Sequence, residues 1–121
     1  MNQNDPPTEH ILACLSSSPS NAKIVRTAAT MAKAFGGTFT ALYVRTPDSD
    51  QMGKEDCRRL QQHIRMAEQA GADISTIYGD DIPQQIAEFA RISGITKIVL
   101  GRSSVPVSYT HLRAHETSLH L

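Results

Sequence analysis

The 121-residue sequence has no excess of charge of either sign, few aromatic residues and no long apolar run. Its 12 basic and 12 acidic side chains give a formal net charge of zero. Nonspecific binding to nucleic acid or to an anionic membrane needs a basic face, so neither is an expected partner. No apolar run approaches the roughly 20 residues of a membrane span, and the start has no signal-peptide pattern.

Cysteine is scarce as well, whereas histidine is unevenly spread. Cys14 and Cys57 lie in apolar periodic segments and do not form a disulfide framework. Three of the five histidines, His111, His115 and His120, fall in the last eleven residues. Length and composition together predict one domain of ordinary size, in the cytoplasm.

Short apolar runs alternate with segments of helical periodicity. The predicted strands cover residues 11–15, 38–44, 74–78 and 97–101, and a helix follows each of the first three. The alternation implies right-handed crossovers between parallel strands. It therefore predicts an α/β fold, a doubly wound parallel sheet with strand order 3-2-1-4.

The pattern breaks at both ends of the chain. Residues 1–9 are polar and predicted to be a flexible leader, and residues 10–103 hold the domain. From residue 104 no helical stripe continues, and residues 107–117 look like translated vector sequence, so 104–121 are predicted to be a non-native tail. The domain would then lack the last helix and strand of the complete fold. A short strand over 105–107 cannot join the sheet in parallel, because a crossover needs about a dozen residues.

A ligand is expected beyond the carboxyl ends of strands 1 and 4, where the strand order reverses. The serine-rich segment after strand 1 leads into a helix amino terminus, whose N–H groups and dipole favour an anion. Capping of this helix by Ser18 or Ser20 is the competing role for the serines. Arg102 after strand 4 adds a planar cation that matches phosphate. These features predict a phosphorylated or nucleotide-like ligand, contacted by Ser16, Ser18, Ser20, Asn21, Gly101, Arg102 and Ser103.

Residues 10–103 resemble the universal stress protein-like domain, and most closely the version inside potassium-sensing sensor histidine kinases. Segments 11–23, 41–44, 78–81 and 94–103 carry the resemblance. In those kinases the domain is a receptor for cyclic di-AMP, with the pattern Ser-x-Ser, twenty residues, then Phe-Thr-Ala-x-Tyr. Here Ser16-Ser17-Ser18 is followed by the twenty residues 19–38 and then by Phe39-Thr40-Ala41-Leu42-Tyr43.

The resemblance implies an adenine nucleotide alpha hydrolase-like fold that binds cyclic di-AMP, with Ser16, Ser18, Phe39, Thr40, Ala41 and Tyr43 at the ligand site. The two-residue period of a strand places Phe39, Ala41 and Tyr43 on one face and Thr40 on the other. Phe39 starts its strand, far from the crevice, so core packing is the competing role for Phe39 and Ala41. Tyr43 is better placed to contact an adenine.

Two other functions stay open at this point. ATP-binding members of the family carry Gly-x2-Gly-x9-Gly-Ser/Thr after strand 4, and this sequence has Gly101 without the later glycines. The other alternative is a ligand-free dimerisation module. The resemblance implies a homodimer whose kinase output lies outside this chain.

No catalytic residue, cofactor or metal site is predicted. No nucleophile, base and orienting acid come together, so we do not expect an enzyme. The histidines of the last eleven residues have helical metal-ligand spacing but lack cysteine or carboxylate partners. Asp80 and Asp81 precede a helix, where an acidic pair complements the helix dipole as a cap.

Overall fold

The computed structural model describes residues 9–99 and the backbone of residues 106–108. The elements follow in the order β1 (His10–Cys14), α1 (Asn21–Phe35), β2 (Thr38–Arg45), a 3-10 helix (Pro47–Gln51), α2 (Lys54–Gln69), β3 (Asp73–Tyr78), α3 (Ile82–Ser93), β4 (Lys97–Val99) and β5 (Pro106–Ser108). They form one sheet of order β3-β2-β1-β4-β5, in which the first four strands are parallel. The predicted α/β fold and the strand order 3-2-1-4 are confirmed.

The sheet extends one strand further than predicted. β5 pairs with β4 in the antiparallel direction, with Ile98 opposite Val107. Six residues separate the two strands, fewer than the dozen or so that a parallel crossover needs. The chain can therefore add a strand to this edge only by running back along β4. Residues 1–8 of the predicted leader and most of the predicted tail lie outside the described residues, whereas Glu9, the last residue of the predicted leader, is described. Both boundaries stay predictions.

Helices cover both faces of the sheet and create two cores. Ile11 and Ala13 of the central strand β1 lie in the core beneath α1 and α2. Leu12, between them, belongs to the core beneath α3. All three side chains are fully buried, which explains why the strand is apolar without alternation. Over the described residues, no helix combines the length and the apolar character needed to cross a membrane.

Glycines and an aspartate cap mark three of the helix ends. Gly36 and Gly94 adopt the left-handed conformation that ends α1 and α3, and the Asp81 carboxylate caps α3 by accepting from the backbone N–H of Gln84 at 3.3 Å. The predicted serine cap of α1 is wrong. Ser20 occupies the N-cap position in a helical conformation, with no side-chain bond to the helix, because its hydroxyl pairs with that of Ser18.

The Glu9 carboxylate, at the amino-terminal end of the central strand β1, is expected to make the stability of the fold depend on pH. Glu9 Oε1 accepts from Thr96 Oγ1 at 2.6 Å and lies 3.6 Å from Lys97 Nζ. The hydrogen bond from Thr96, with the Lys97 charge, lowers the pKa of Glu9 from its ordinary value of 4.5. Its stabilising effect is therefore present above pH 4.5 and is lost as the pH falls through the folded-state pKa.

We expect Glu9→Gln to lower the free energy of unfolding at pH 7 by roughly 0.5–1 kcal/mol, the scale of a partly exposed ion pair. The difference from the wild type should shrink as the pH falls below 4.5, because the wild-type carboxylate then takes up its proton. Urea denaturation at pH 7 and pH 3 measures both values. Glu68→Gln, at an exposed position on α2, is the matched control. A pH-independent difference for Glu9→Gln would contradict the ion-pair explanation.

Candidate functional site

A cleft of about 690 Å³ opens at the carboxyl ends of β1 and β2. Small-molecule sites commonly measure about 300–1,000 Å³. The cleft lies at the carboxyl end of the sheet, where the ligand was predicted beyond strands 1 and 4. Its described lining comes from the β1–α1 connection, the end of β2, the segment leading to α2 and the start of α3, whereas the residues directly after β4 lie outside the described residues. The lining residues are Cys14, Leu15, Ser16, Ser17, Ser18, Ser20, Asn21, Ile24, Leu42, Tyr43, Val44, Thr46, Asp48, Ser49, Met52, Ile82 and Ile86.

The connection after β1, residues 15–20, forms one wall and is called the serine loop below. Asn21 holds this loop from beneath: its Oδ1 accepts from the Ser16 N–H at 3.0 Å, and its Nδ2 donates to the Cys14 carbonyl at 2.8 Å. The side chain is only 1% exposed. Asn21 was predicted to contact a ligand, and it does line the cleft. Its amide is engaged with the backbone, however, so the structure gives it a positioning role.

Two side chains of α2 hold the same loop from the side. His63 Nδ1 donates to the Ser16 carbonyl at 2.8 Å, and Arg59 Nη1 donates to the Ser17 carbonyl at 3.1 Å. Neither residue was predicted for the site. A signal was present: His63 lies three residues after Leu60 and four before Ala67, on the buried stripe of α2. Helical period alone therefore places it on the inner face.

The loop presents hydroxyl groups at the cleft. Ser16 Oγ accepts from the Ser18 N–H at 3.2 Å, and the Ser18 and Ser20 hydroxyl oxygens lie 3.0 Å apart. The first turn of α1, which follows, carries no acidic residue. Hydroxyls beside a helix amino terminus whose first turn holds no carboxylate suit an anionic group.

The other walls are mainly apolar. Leu42 and Val44 of β2 belong to the core beneath α3, Ile86 of α3 packs against that core, and all three line the cleft together with Ile82. Tyr43, half-buried, lines the cleft and also packs against the core beneath α1 and α2. This combination of an apolar wall with a hydroxyl-rich wall matches a ligand that has both a flat apolar ring and a polar, charged group.

The remaining motif residues of β2 do not line the cleft. Phe39 and Ala41 are buried in the core beneath α1 and α2, which confirms the competing role predicted for them. Thr40 lies half-buried opposite Leu12 of β1. Tyr43 lies four positions after Phe39, a span of roughly 13 Å along a strand. The structure therefore brings Ser16, Ser18 and Tyr43 together, and it keeps the amino-terminal part of the motif away from them.

Three predicted contacts, Gly101, Arg102 and Ser103, lie outside the described residues. Among the lining residues that are described, Asp48 is the single charged side chain. Cys14 also lines the cleft, and burial raises the pKa of its thiol to about 12. This thiol is protonated at neutral pH and therefore unreactive, because the thiolate is the reactive form. Cys14 contributes only its surface to the cleft. Over the described residues no group of three or more histidine, cysteine, aspartate or glutamate side chains is arranged to hold a metal ion.

Comparison with models of known protein families identifies the relatives of this chain. The profile of the universal stress protein family matches residues 7–114. The chain belongs to the universal stress protein family. Within this universal stress protein domain, the cleft at the carboxyl ends of β1 and β2 is the site described above.

Two sensor proteins are similar to this chain. The chain is 38% identical over 96 residues, 79% of its length, to the sensor protein KdpD of Clostridium acetobutylicum. It is 30% identical over 92 residues, 76% of its length, to the sensor protein KdpD of Escherichia coli. The chain spans about 10% of the length of each of these relatives.

Solved universal stress protein structures share the fold. One, a universal stress protein in complex with cAMP, superimposes with a TM-score of 0.62 at 15% identity, over 92% of this chain and 86% of that chain. Another, from Burkholderia pseudomallei, has a TM-score of 0.63 at 21% identity, over 89% of each chain. At these identities the likeness establishes the architecture.

Proposed function

We propose that this universal stress protein domain binds cyclic di-AMP and serves, without catalysing a reaction, as a sensor domain of a potassium-responsive histidine kinase. The observation that carries the proposal is the serine loop. Its Ser16 and Ser17 carbonyls are bonded to α2, while its serines line a cleft of about 690 Å³ whose other described lining is mainly apolar. The similarity to two KdpD sensor proteins supports the kinase context.

The chemistry of the cleft suits a phosphodiester with an adenine base. The Ser16 and Ser18 hydroxyls can donate to phosphate oxygens, and the start of α1 adds its partial positive charge. An adenine ring can pack against the apolar wall that includes Ile82 and Ile86. It can also stack on Tyr43, and stacking on an aromatic ring contributes about 1–3 kcal/mol per base. The family's solved complex with cAMP, also a cyclic adenine phosphodiester, supports this ligand class.

Charge distinguishes the proposal from its alternative, the binding of ATP. Each phosphodiester of cyclic di-AMP carries one negative charge, whereas a triphosphate concentrates several on one group. Asp48 is the single charged residue of the described lining. A concentrated triphosphate charge would need cations to offset the loss of its hydration. The described walls therefore favour the diester.

Calorimetric titration of the full chain with cyclic di-AMP, ATP and cAMP tests the proposal. We expect the tightest binding for cyclic di-AMP. Binding of ATP alone would favour the ATP-binding alternative, and binding of none of the three would favour a ligand-free dimerisation module. Light scattering in the same buffer tests the homodimer that we propose, and fractionation of the native host tests the proposed cytoplasmic location.

Substitution of one hydroxyl should separate ligand binding from stability. We expect Ser18→Ala to weaken cyclic di-AMP binding about tenfold or more, because a hydrogen bond to a charged acceptor is worth about 1.5–3 kcal/mol. Ser18 is exposed, so the thermal midpoint should stay near the wild-type value. Tyr43→Phe, which keeps the ring, should bind more tightly than Tyr43→Ala.

Ser93→Ala is the matched control, because Ser93 is an exposed serine at the carboxyl end of α3. Its affinity and midpoint should equal those of the wild type. Wild-type affinity in Ser18→Ala would remove this hydroxyl from the proposed site. A large loss of its thermal midpoint would instead indicate that Ser18 supports the loop.

A further inference from the structure

We propose that His63, assisted by Arg59, is a positioning residue that holds the serine loop in the shape that binds the phosphodiester. Neither side chain is among those that line the cleft, so both act through the loop backbone. The inference rests on the proposed nucleotide-binding function for its effect on affinity. The effect on the loop itself can be measured without any ligand.

Burial singles out His63. In the described part of the chain the buried polar or charged side chains are Asn21 and His63, at 1% and 5% exposure. Both bond the serine loop: Asn21 holds the Ser16 N–H, and His63 holds the Ser16 carbonyl. Both buried polar side chains therefore bond the same residue of the loop, Ser16. His63 lies 47 positions after Ser16 in the sequence.

The position of His63 on its helix makes a purely packing role unfavourable. It lies on the apolar stripe of α2 with Leu60 and Ala67, where a leucine would be buried without the cost of desolvating a polar ring. A buried imidazole is tolerated when it is hydrogen-bonded, but the net gain of such a bond is small, about 1 kcal/mol. The bond therefore contributes more to the conformation of the loop than to the stability of the fold.

Arg59 extends the same contact by one turn of α2. Its Nη1 donates to the Ser17 carbonyl at 3.1 Å and to Asp56 Oδ1 at 3.2 Å. Two consecutive loop carbonyls, of Ser16 and Ser17, are thus bonded to α2. Carbonyl oxygens repel an anion. Because the Ser16 and Ser17 carbonyls accept hydrogen bonds from α2, their negative charge is partly offset, while the serine hydroxyls line the cleft.

Two substitutions of His63 separate positioning from packing. His63→Leu has a similar volume and no donor, whereas His63→Asn places an amide nitrogen close to the position of Nδ1 and can restore the bond. In His63→Leu we expect faster amide hydrogen exchange at the serines of the loop in the ligand-free protein, with unchanged exchange in the strands, and affinity for cyclic di-AMP lowered about tenfold. His63→Asn should recover most of both properties.

Substitution of Arg59 keeps the test decisive if His63→Leu fails to fold. Arg59 is partly exposed, and Arg59→Met should accelerate exchange at Ser17 and Ser18 and weaken binding several-fold. Arg58→Met, at an exposed neighbouring position, should do neither.

Two results would overturn the inference: wild-type loop exchange in both His63→Leu and Arg59→Met, or equal defects in His63→Leu and His63→Asn accompanied by faster exchange throughout the strands. If the wild type binds no nucleotide and the loop still loosens in His63→Leu, the proposed function fails and the positioning role stands.

Discussion

Replacing Asn21 by leucine is expected to lower the free energy of unfolding by roughly 2–4 kcal/mol and to remove nucleotide binding. The side chain is 1% exposed and bonds two backbone groups, the Ser16 N–H and the Cys14 carbonyl. Leucine fills the space but leaves both groups without partners, and each unsatisfied buried group costs about 1–3 kcal/mol. The serine loop also loses its anchor to the end of β1. Urea denaturation and calorimetric titration measure the two effects.

Asn21→Asp provides a sharper version of the same experiment. One carboxylate oxygen can still accept from the Ser16 N–H, but the other meets the Cys14 carbonyl oxygen. Burial and this repulsion raise the pKa of the new carboxyl in the folded state. Its protonated form can donate to the carbonyl, so the stabilising effect is present below the unfolded pKa of about 3.9 and is lost as the pH rises through the folded pKa.

The stability deficit of Asn21→Asp should therefore be smaller at pH 4 than at pH 7, whereas that of Asn21→Leu should not change with pH. Equal deficits for Asn21→Asp at both pH values would show that the donor bond to Cys14 contributes little. A stable Asn21→Leu protein that keeps its ligand would contradict the anchoring role altogether.

Gly37→Ala is expected to lower the free energy of unfolding by roughly 2–3 kcal/mol, in the upper part of the usual range for single substitutions. A Cβ at this position would overlap the backbone carbonyl of Glu9. That carbonyl accepts from the Thr38 N–H at 2.9 Å, next to the His10–Thr38 pair that begins the β1–β2 pairing. The added methyl must therefore separate the first residues of the two central strands. Thermal and urea denaturation measure the loss.

Gly53→Ala is the matched glycine substitution, because a Cβ there meets no atom within 4 Å. Gly53 is the N-cap of α2, where alanine is somewhat less favourable than glycine, so we expect a cost below about 1 kcal/mol. If the two variants were equally stable, the close approach of Glu9 to Gly37 would have no energetic consequence.

Much of the architecture could be predicted because each strand carries its own signal. The run Ile11-Leu12-Ala13 is apolar without alternation, and only a strand covered on both faces buries all three residues. The glycines at 36 and 94 adopt the left-handed conformation that ends their helices, a strong local signal. The antiparallel β5 was not part of the predicted strand order, because residues from 104 onward were assigned to the tail and a strand over 105–107 was excluded only from parallel pairing.

The candidate site could be predicted only in part. The Ser-x-Ser pattern and Tyr43 lie at the cleft, and the distance along β2 removes Phe39 and Ala41 from it. His63 and Arg59 escaped prediction because they act on backbone carbonyls more than forty positions away. A hydrogen bond between a side chain and a distant backbone carbonyl produces no recognisable pattern of residue types or spacing in the sequence.

The balanced charge and the scarcity of cysteine, aromatic residues and long apolar runs excluded whole classes of protein from the sequence alone. The periodicity then specified a doubly wound parallel sheet, since burial on one helical face or on both faces of a strand is a local property of the chain. Tertiary structure decided which polar residues serve the site. Nothing in the sequence distinguishes Asn21 and His63 from other polar residues. Folding buries both side chains, and a buried polar group needs a hydrogen-bond partner. The serine loop supplies that partner, and its shape follows from the pairing.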